Sequence, residues 1–93
     1  MGQRLQTRSV TAENQFTDAA EIQGYFNIGI SGTWAGTVTA QRSFDLGSTW
    51  FDVNIWTANT QEYGFEPERK VQYRVGIKTG GFVSGTCVVR LSQ

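Results

Sequence analysis

Histidine is absent from this chain, and cysteine occurs once, as Cys87. Without a second thiol no disulfide framework can form within the chain, and without imidazole the usual zinc sets and Cys–His nucleophile pairs have no members. Charge of one sign is missing too: eight Lys and Arg balance eight Asp and Glu, so no overall field steers the chain toward nucleic acid or an anionic membrane. No run approaches the roughly 18 apolar residues of a membrane-spanning helix. The opening Met-Gly-Gln-Arg-Leu-Gln has no apolar stretch after its arginine, Gln6 stands where a myristoylation signal needs Ser or Thr, and no Asn-x-Ser/Thr sequon occurs. The expectation is a soluble protein made and used without export, with no metal, no cofactor, no nucleic acid and no membrane among its partners.

Large rings are what the chain does have: three Trp, six Phe and three Tyr in 93 residues. A domain of this size buries only about two-thirds of the surface its unfolded chain exposes, so its stability margin is thin. Rings supply apolar area, although each Trp and Tyr also brings a polar atom that needs a partner. A neutral surface repels its own copies weakly, which suits a subunit of an assembly.

Residues 1–12 are polar, carry Arg4 and Arg8 around Leu5, and show no sustained period, so they are expected to form an N-terminal arm. In residues 13–22, Phe16, Ala19, Ala20 and Ile22 fit one helical face, but the segment is short, poorly capped and followed by Gly24, which favours a strand. From Tyr25 onward short β-branched and aromatic runs alternate with Gly, Asn, Asp and Ser. They predict strands near 25–31, 33–42, 49–57, 61–66, 70–78 and 84–92, with Pro67 in a turn between two of them. The expected fold is all-β, an antiparallel β-sandwich of about seven strands over residues 13–93, Ig-like or jelly-roll-like.

Alternation assigns the faces. Val71, Tyr73, Val75 and Ile77 share one face against Gln72, Arg74 and Lys78; Cys87, Val89 and Leu91 oppose Thr86, Arg90 and Ser92, with Val88 a misfit. Thr79 to Gly85 is expected to be a Gly-rich hairpin tip that carries Phe82 outward. Trp34, on the side of Val38 and Ala40, is expected to be the central core tryptophan.

Ser43-Phe44-Asp45-Leu46-Gly47-Ser48-Thr49-Trp50 resembles the Asp box, a Ser-x-Asp-x-Gly-x-Thr-Trp hairpin motif of sialidases and of many unrelated β proteins. Its physics is local: the carboxylate accepts turn N–H groups, the glycine tolerates positive φ, and the tryptophan packs back across the hairpin. Ser43, Asp45, Gly47 and Trp50 are therefore structural turn residues. In the following run Phe51, Val53 and Ile55 alternate with Trp50, Asp52, Asn54 and Trp56. Two Trp beside Asp and Asn on an open face suit a sugar platform or a protein anchor, and cover by the chain's own 58–66 loop is the third possibility.

Gly24-Tyr25-Phe26-Asn27-Ile28, Gly32-Thr33-Trp34, Val38 through Asp45, Gly64 to Glu68, and Val75-Gly76-Ile77-Lys78-Thr79-Gly80-Gly81 through Ser84-Gly85-Thr86 to Val89-Arg90-Leu91-Ser92-Gln93 together resemble small structural proteins of tailed bacteriophages. The resemblance runs from about residue 13 to the end and contains no catalytic signature. It implies a β-sandwich in the virion, assembled in the host cytoplasm as a decoration or cement protein on the major capsid protein. A tail or head–tail accessory protein, or a carbohydrate-binding module using Trp50, Trp56, Asp52 and Asn54, are the alternatives. Multiple copies are expected, with Arg4, Leu5, Arg8, Trp56 and Phe82 as candidate contacts.

Enzyme chemistry finds little to work with. Glu62, Glu66 and Glu68 hold the carboxylates a glycosidase would need, but around Pro67 they suit an acidic loop. Gly29, Gly32 and Gly36 lack the Lys-Ser/Thr of a phosphate loop, and Arg42, Arg69, Arg74 and Arg90 suit solvated faces or interface salt bridges. Cys87 is expected to be a buried, inert thiol, the alternative being a cross-link between subunits. Nothing supplies a base poised near neutral pH, so no enzyme is expected.

Overall fold

The computed structural model describes residues 5–93, so the candidate contact Arg4 lies outside the described residues. Seven strands follow in order: β1 (Leu5–Val10), β2 (Gln15–Phe16), β3 (Ala20–Gly36), β4 (Val38–Ser43), β5 (Phe51–Trp56), β6 (Thr60–Ile77) and β7 (Phe82–Ser92). They lie in the order β1-β7-β3-β6-β4-β5, with β2 paired to β6, and every pairing is antiparallel. The protein is all-β, and the ladder joins all seven strands in one sheet rather than two separately bonded ones.

Two strands are far longer than expected. The break foreseen near Gly32 does not occur: β3 runs through it, and a Cβ at Gly32, whose φ is +101°, would meet the Thr86 carbonyl oxygen at 2.5 Å. Only glycine lets β7 come that close there. Pro67 likewise sits within one strand rather than between two. The register of β6 against β3 jumps from Ile22↔Val71 to Gly24↔Glu66, so Pro67 to Lys70 bulge out opposite Gln23. A proline with no N–H to give the ladder is tolerated at such a bulge.

Straight, the 18 residues of β6 would span roughly 60 Å at about 3.3 Å per residue. The longest dimension of the molecule is 35 Å, so β3 and β6 must bend. The bend brings the inner face of the sheet onto itself, and that face is the core. Val10, Phe26, Ile28, Ile30, Val38, Ala40, Val71, Tyr73, Val75, Ile77, Cys87, Val89 and Leu91 form one buried cluster. The alternation in β6 and β7 is the one the sequence predicts.

Three further expectations change. Residues Leu5–Val10 pair with β7 of the same chain, from Leu5↔Ser92 to Val10↔Cys87, and Val10 enters the core. What looked like an arm is thus an edge strand from Leu5 onward. Lys78 to Gly81 is not a hairpin tip, because β3 lies between β6 and β7; among the described strands only β4 and β5 are both consecutive and paired. Trp34 is half-buried at the margin of the core, its indole N–H donating to Asn59 Oδ1 at 2.8 Å.

Near the bend the core holds one charge among the described residues. Glu66 is 1 % exposed, with Oε1 accepting from Tyr73 Oη at 2.7 Å and Arg42 Nη1 at 2.8 Å, and Oε2 accepting from the Glu68 N–H at 3.0 Å. Burial pushes this carboxyl up, but the Tyr73 hydroxyl, the Glu68 N–H and Arg42 together outweigh it and hold it below its ordinary 4.5. A depressed folded value means that stability is fully present above about pH 5 and is lost as pH falls below 4.5. Tyr73 titrates the other way, pushed up to about 12 by burial and then by Glu66. Tyr73→Phe is expected to cost about 1.5–3 kcal/mol in urea unfolding at pH 7 and to start acid unfolding at higher pH. An unchanged acid limb would show that the three groups do not act together.

Candidate functional site

The β4–β5 hairpin is built by its turn. Ser43 Oγ donates to Asp45 Oδ1 at 2.6 Å and accepts the Gly47 N–H at 2.8 Å, while Asp45 Oδ1 also accepts the Thr49 N–H at 2.8 Å. Ser43 and then the Thr49 N–H hold the Asp45 carboxyl below its usual range. Gly47 has φ +93°, and a Cβ there would stand 3.5 Å from the Trp50 ring. Ser43, Asp45 and Gly47 are engaged within the turn itself, and Trp50 packs beside Gly47.

Strand β5 leaves the turn with a bulge. Its register runs Val38↔Trp56, Thr39↔Ile55, Ala40↔Asn54 and then Gln41↔Asp52, so Val53 is an extra residue. Directly opposed residues share a face. Asn54 and Trp56 therefore go with Ala40 and Val38 on the inner side, while Asp52 goes with Gln41 on the outer side. Trp50 joins Asp52, its ring 4.3 Å from the Arg74 guanidinium carbon, and Trp56 packs against the core. The sugar platform of Trp50, Asp52, Asn54 and Trp56 is thus divided between two faces by one bulged residue.

What β5 does offer is apolar. Phe51, Val53 and Ile55 are 53 %, 47 % and 57 % exposed, and the strand ends the sheet with one backbone edge unpaired among the described residues. Phe44 stands beside Phe51, ring centroids 6.3 Å apart, and the two flank a groove of about 500 Å³ lined also by Arg42, Asp52 and Val53. Leu46 is exposed at the turn tip. Strand β5 carries a single charge, Asp52, which lies 2.7 Å from Lys78 Nζ and accepts from Gln41.

A second group of rings adjoins the first. Tyr63 lines a small cleft of about 70 Å³ with Val53 and Trp56, where the two halves of the bent sheet approach each other. Its ring is 6.2 Å from Tyr25, which is 4.9 Å from Phe65, and all three are exposed. Sequence reasoning did not single these residues out. The available signal was Tyr25-Phe26: neighbours on a strand point to opposite faces, so with Phe26 inward, Tyr25 must face out.

The remaining candidates scatter. Leu5 is exposed on β1, and Arg8 Nη1 donates to the Phe16 carbonyl at 3.0 Å, both remote along the sheet from β5. Phe82 is half-buried against the core rather than carried outward on a tip. Among the described residues no group of three or more His, Cys, Asp or Glu could hold a metal ion. The chain matches no family model, no curated protein and no solved structure.

Cys87 lies on β7 with no exposed surface, and burial pushes its thiol up to about 11. Since the thiolate is the reactive form, native protein is expected to resist a disulfide-exchange reagent that labels the unfolded chain within minutes. Rapid native labelling would place this thiol at the surface and restore the cross-link. The turn has its own check: Asp45→Ala should remove the hydrogen-exchange protection of the Thr49 amide while the amides of β6 and β7 keep theirs.

Proposed function

We propose that this chain is a non-enzymatic structural protein that acts by docking onto another protein through β5 and the rings beside it. The observation that carries this reading is the edge strand: apolar side chains half exposed on both of its faces, an unpaired backbone edge, and its one charge neutralised within the chain. Natural sheets protect an edge of this kind with charge, proline or cover, because it otherwise pairs with whatever strand it meets. A surface left unprotected in this way is a contact surface. Aromatic rings gathered at one place supply the anchoring area that protein interfaces concentrate in a few residues.

The setting we propose is a tailed-phage virion, in which the protein decorates the head, binds the major capsid protein and stiffens the shell. The likeness of its sequence to small phage structural proteins supports that setting, with a tail or head–tail position as the neighbouring choice. Arrayed copies would convert individually weak contacts into tight occupancy through multivalency.

Co-sedimentation with empty capsids is the test. Val53→Asp places a charge on an exposed side chain, so thermal unfolding should shift by no more than a few degrees. Capsid binding should weaken at least tenfold, about 1.4 kcal/mol, and the heat resistance conferred on the shell should fall with it. Undiminished binding by Val53→Asp and by Tyr63→Ser would remove β5 and its neighbouring rings from the contact. A wild-type chain that never sediments with capsids would end the capsid setting.

A further inference from the structure

The outer face of β6 carries an arginine in an unusual position. The Arg74 guanidinium carbon lies 4.1 Å from the Phe16 ring centroid and 4.3 Å from that of Trp50, and Nε donates to Gln41 Oε1 at 2.8 Å. The ion pairs among the described residues are Arg42–Glu66 and Lys78–Asp52, and no carboxylate comes within pairing distance of Arg74. Four acids stand in its neighbourhood, Glu13, Asp18 beyond the Thr17–Val75 hydrogen bonds, Glu21 opposite Gln72, and Asp52, and none of them forms an ion pair with Arg74. Asp52 accepts from Gln41 and Lys78, and Glu13 accepts the Gly80 N–H at 2.7 Å. Arg74 is thus a partly buried cation that forms no ion pair among the described residues.

Beside it opens a cleft of about 230 Å³ lined by Asn14, Phe16, Gln41, Arg74, Lys78 and Thr79. Two of those residues are cationic and none is acidic. The Phe16 and Trp50 rings lie against the guanidinium and Gln41 takes its Nε, while no hydrogen bond among the described residues uses its Nη donors. The Nη edge is the part of arginine that grips a planar or tetrahedral oxyanion through two parallel hydrogen bonds. Stacking also fixes the group before any ligand arrives, which lowers the ordering cost of binding. A purely structural role accounts for the stacking but makes no use of the Nη donors.

We propose that this cleft binds an oxyanion, a carboxylate or a phosphate, held by the Nη donors of Arg74, with Lys78, already paired to Asp52, as a weaker second contact. The site adjoins β5, whose Asp52 accepts from Gln41 and Lys78, but its central cation is Arg74 on β6 and the inference does not rest on the capsid reading. Two sources share this chemistry, free inorganic phosphate and an acidic side chain of a bound protein, and the titration separates them.

The experiment is a nuclear magnetic resonance titration of the full chain with inorganic phosphate in one arm and glutarate in the other, ionic strength held constant with sodium chloride. The Arg74 Nε–H and Trp50 indole signals should shift and saturate at millimolar ligand in at least one arm. Tighter phosphate binding points to the free anion, and tighter glutarate binding to a protein carboxylate. Arg74→Gln should weaken binding at least tenfold. Because that change also disturbs two rings, Lys78→Gln is the second variant, leaving the stack in place and weakening binding several-fold. Val53→Asp should bind as wild type, which keeps this result separate from the capsid contact. Shifts that never saturate, that sodium chloride alone reproduces, or that persist unchanged in both cleft variants would overturn the site.

Discussion

The structure depends on two strands too long to stay straight. Strands β3 and β6 hold the sheet together from one side to the other, and within a molecule 35 Å long they must bend. A bend in a sheet needs extra chain on one side, and Pro67 to Lys70 provides it, with Lys70 itself at φ +63°. Glu66 sits at the foot of that bulge, and Tyr73 lies beyond it on the same strand, so their hydrogen bond spans the bulge. Arg42 ties β4 to the same carboxylate. Burying a charge usually costs more than pairing returns, unless the remaining lone pairs are also satisfied. Three donors satisfy this one, and the Tyr73 ring packs at 4.8 Å from Phe26, which couples the polar clasp to the apolar core.

Bending a sheet, unlike closing a barrel, leaves edges, and this protein treats its two terminal edges differently. Strand β1 is polar outside the core, with Thr7, Arg8 and Ser9 exposed, which is how an edge is kept from pairing. Strand β5 is the reverse. The contrast within one sheet matters more than the exposure of any single residue, since isolated apolar side chains are common on protein surfaces. The rings follow the same division. Of the chain's aromatic residues Phe16, Phe26 and Tyr73 are buried, four are half-buried, and Tyr25, Phe44, Phe51, Tyr63 and Phe65 are exposed. Those five fall in two groups of touching rings, Phe44 with Phe51 and Tyr25 with Tyr63 and Phe65, instead of being scattered singly over the surface.

The parts of this fold that were legible in the sequence are those set by neighbours along the chain. Alternation placed Val71 to Ile77 and Cys87 to Leu91 on the inner face, and the Ser43 to Trp50 turn announced its own hydrogen bonds. Pairing between distant strands was not legible. Gly32 and Pro67 read as breaks because glycine and proline usually end strands, yet here one permits close approach of β7 and the other occupies a bulge. The candidate surface was half legible for the same reason. Phe51, Val53 and Ile55 stood out by period, but the extra residue at Val53 arises from the register with β4. Once that register slips, Asp52 and Asn54 no longer share a face, and a platform that looked continuous in the sequence is divided.

That bulge also explains how a single short strand can serve both sides of the sheet. With a regular register, β5 would present its three apolar residues to one face and its polar residues to the other, and covering one side would satisfy it. The slip turns Phe51 toward Arg42 on the inner side and Ile55 toward Thr39 on the outer side, leaving Val53 at the irregularity between them. No element among the described residues pairs with the free edge of β5, and a cover over one face alone would leave the other apolar residue in water. A partner that adds a strand along the edge reaches both faces at once, because its own side chains alternate in the same way. The geometry of the bulge therefore favours an extended segment lying alongside β5 over a flat surface pressed against one face.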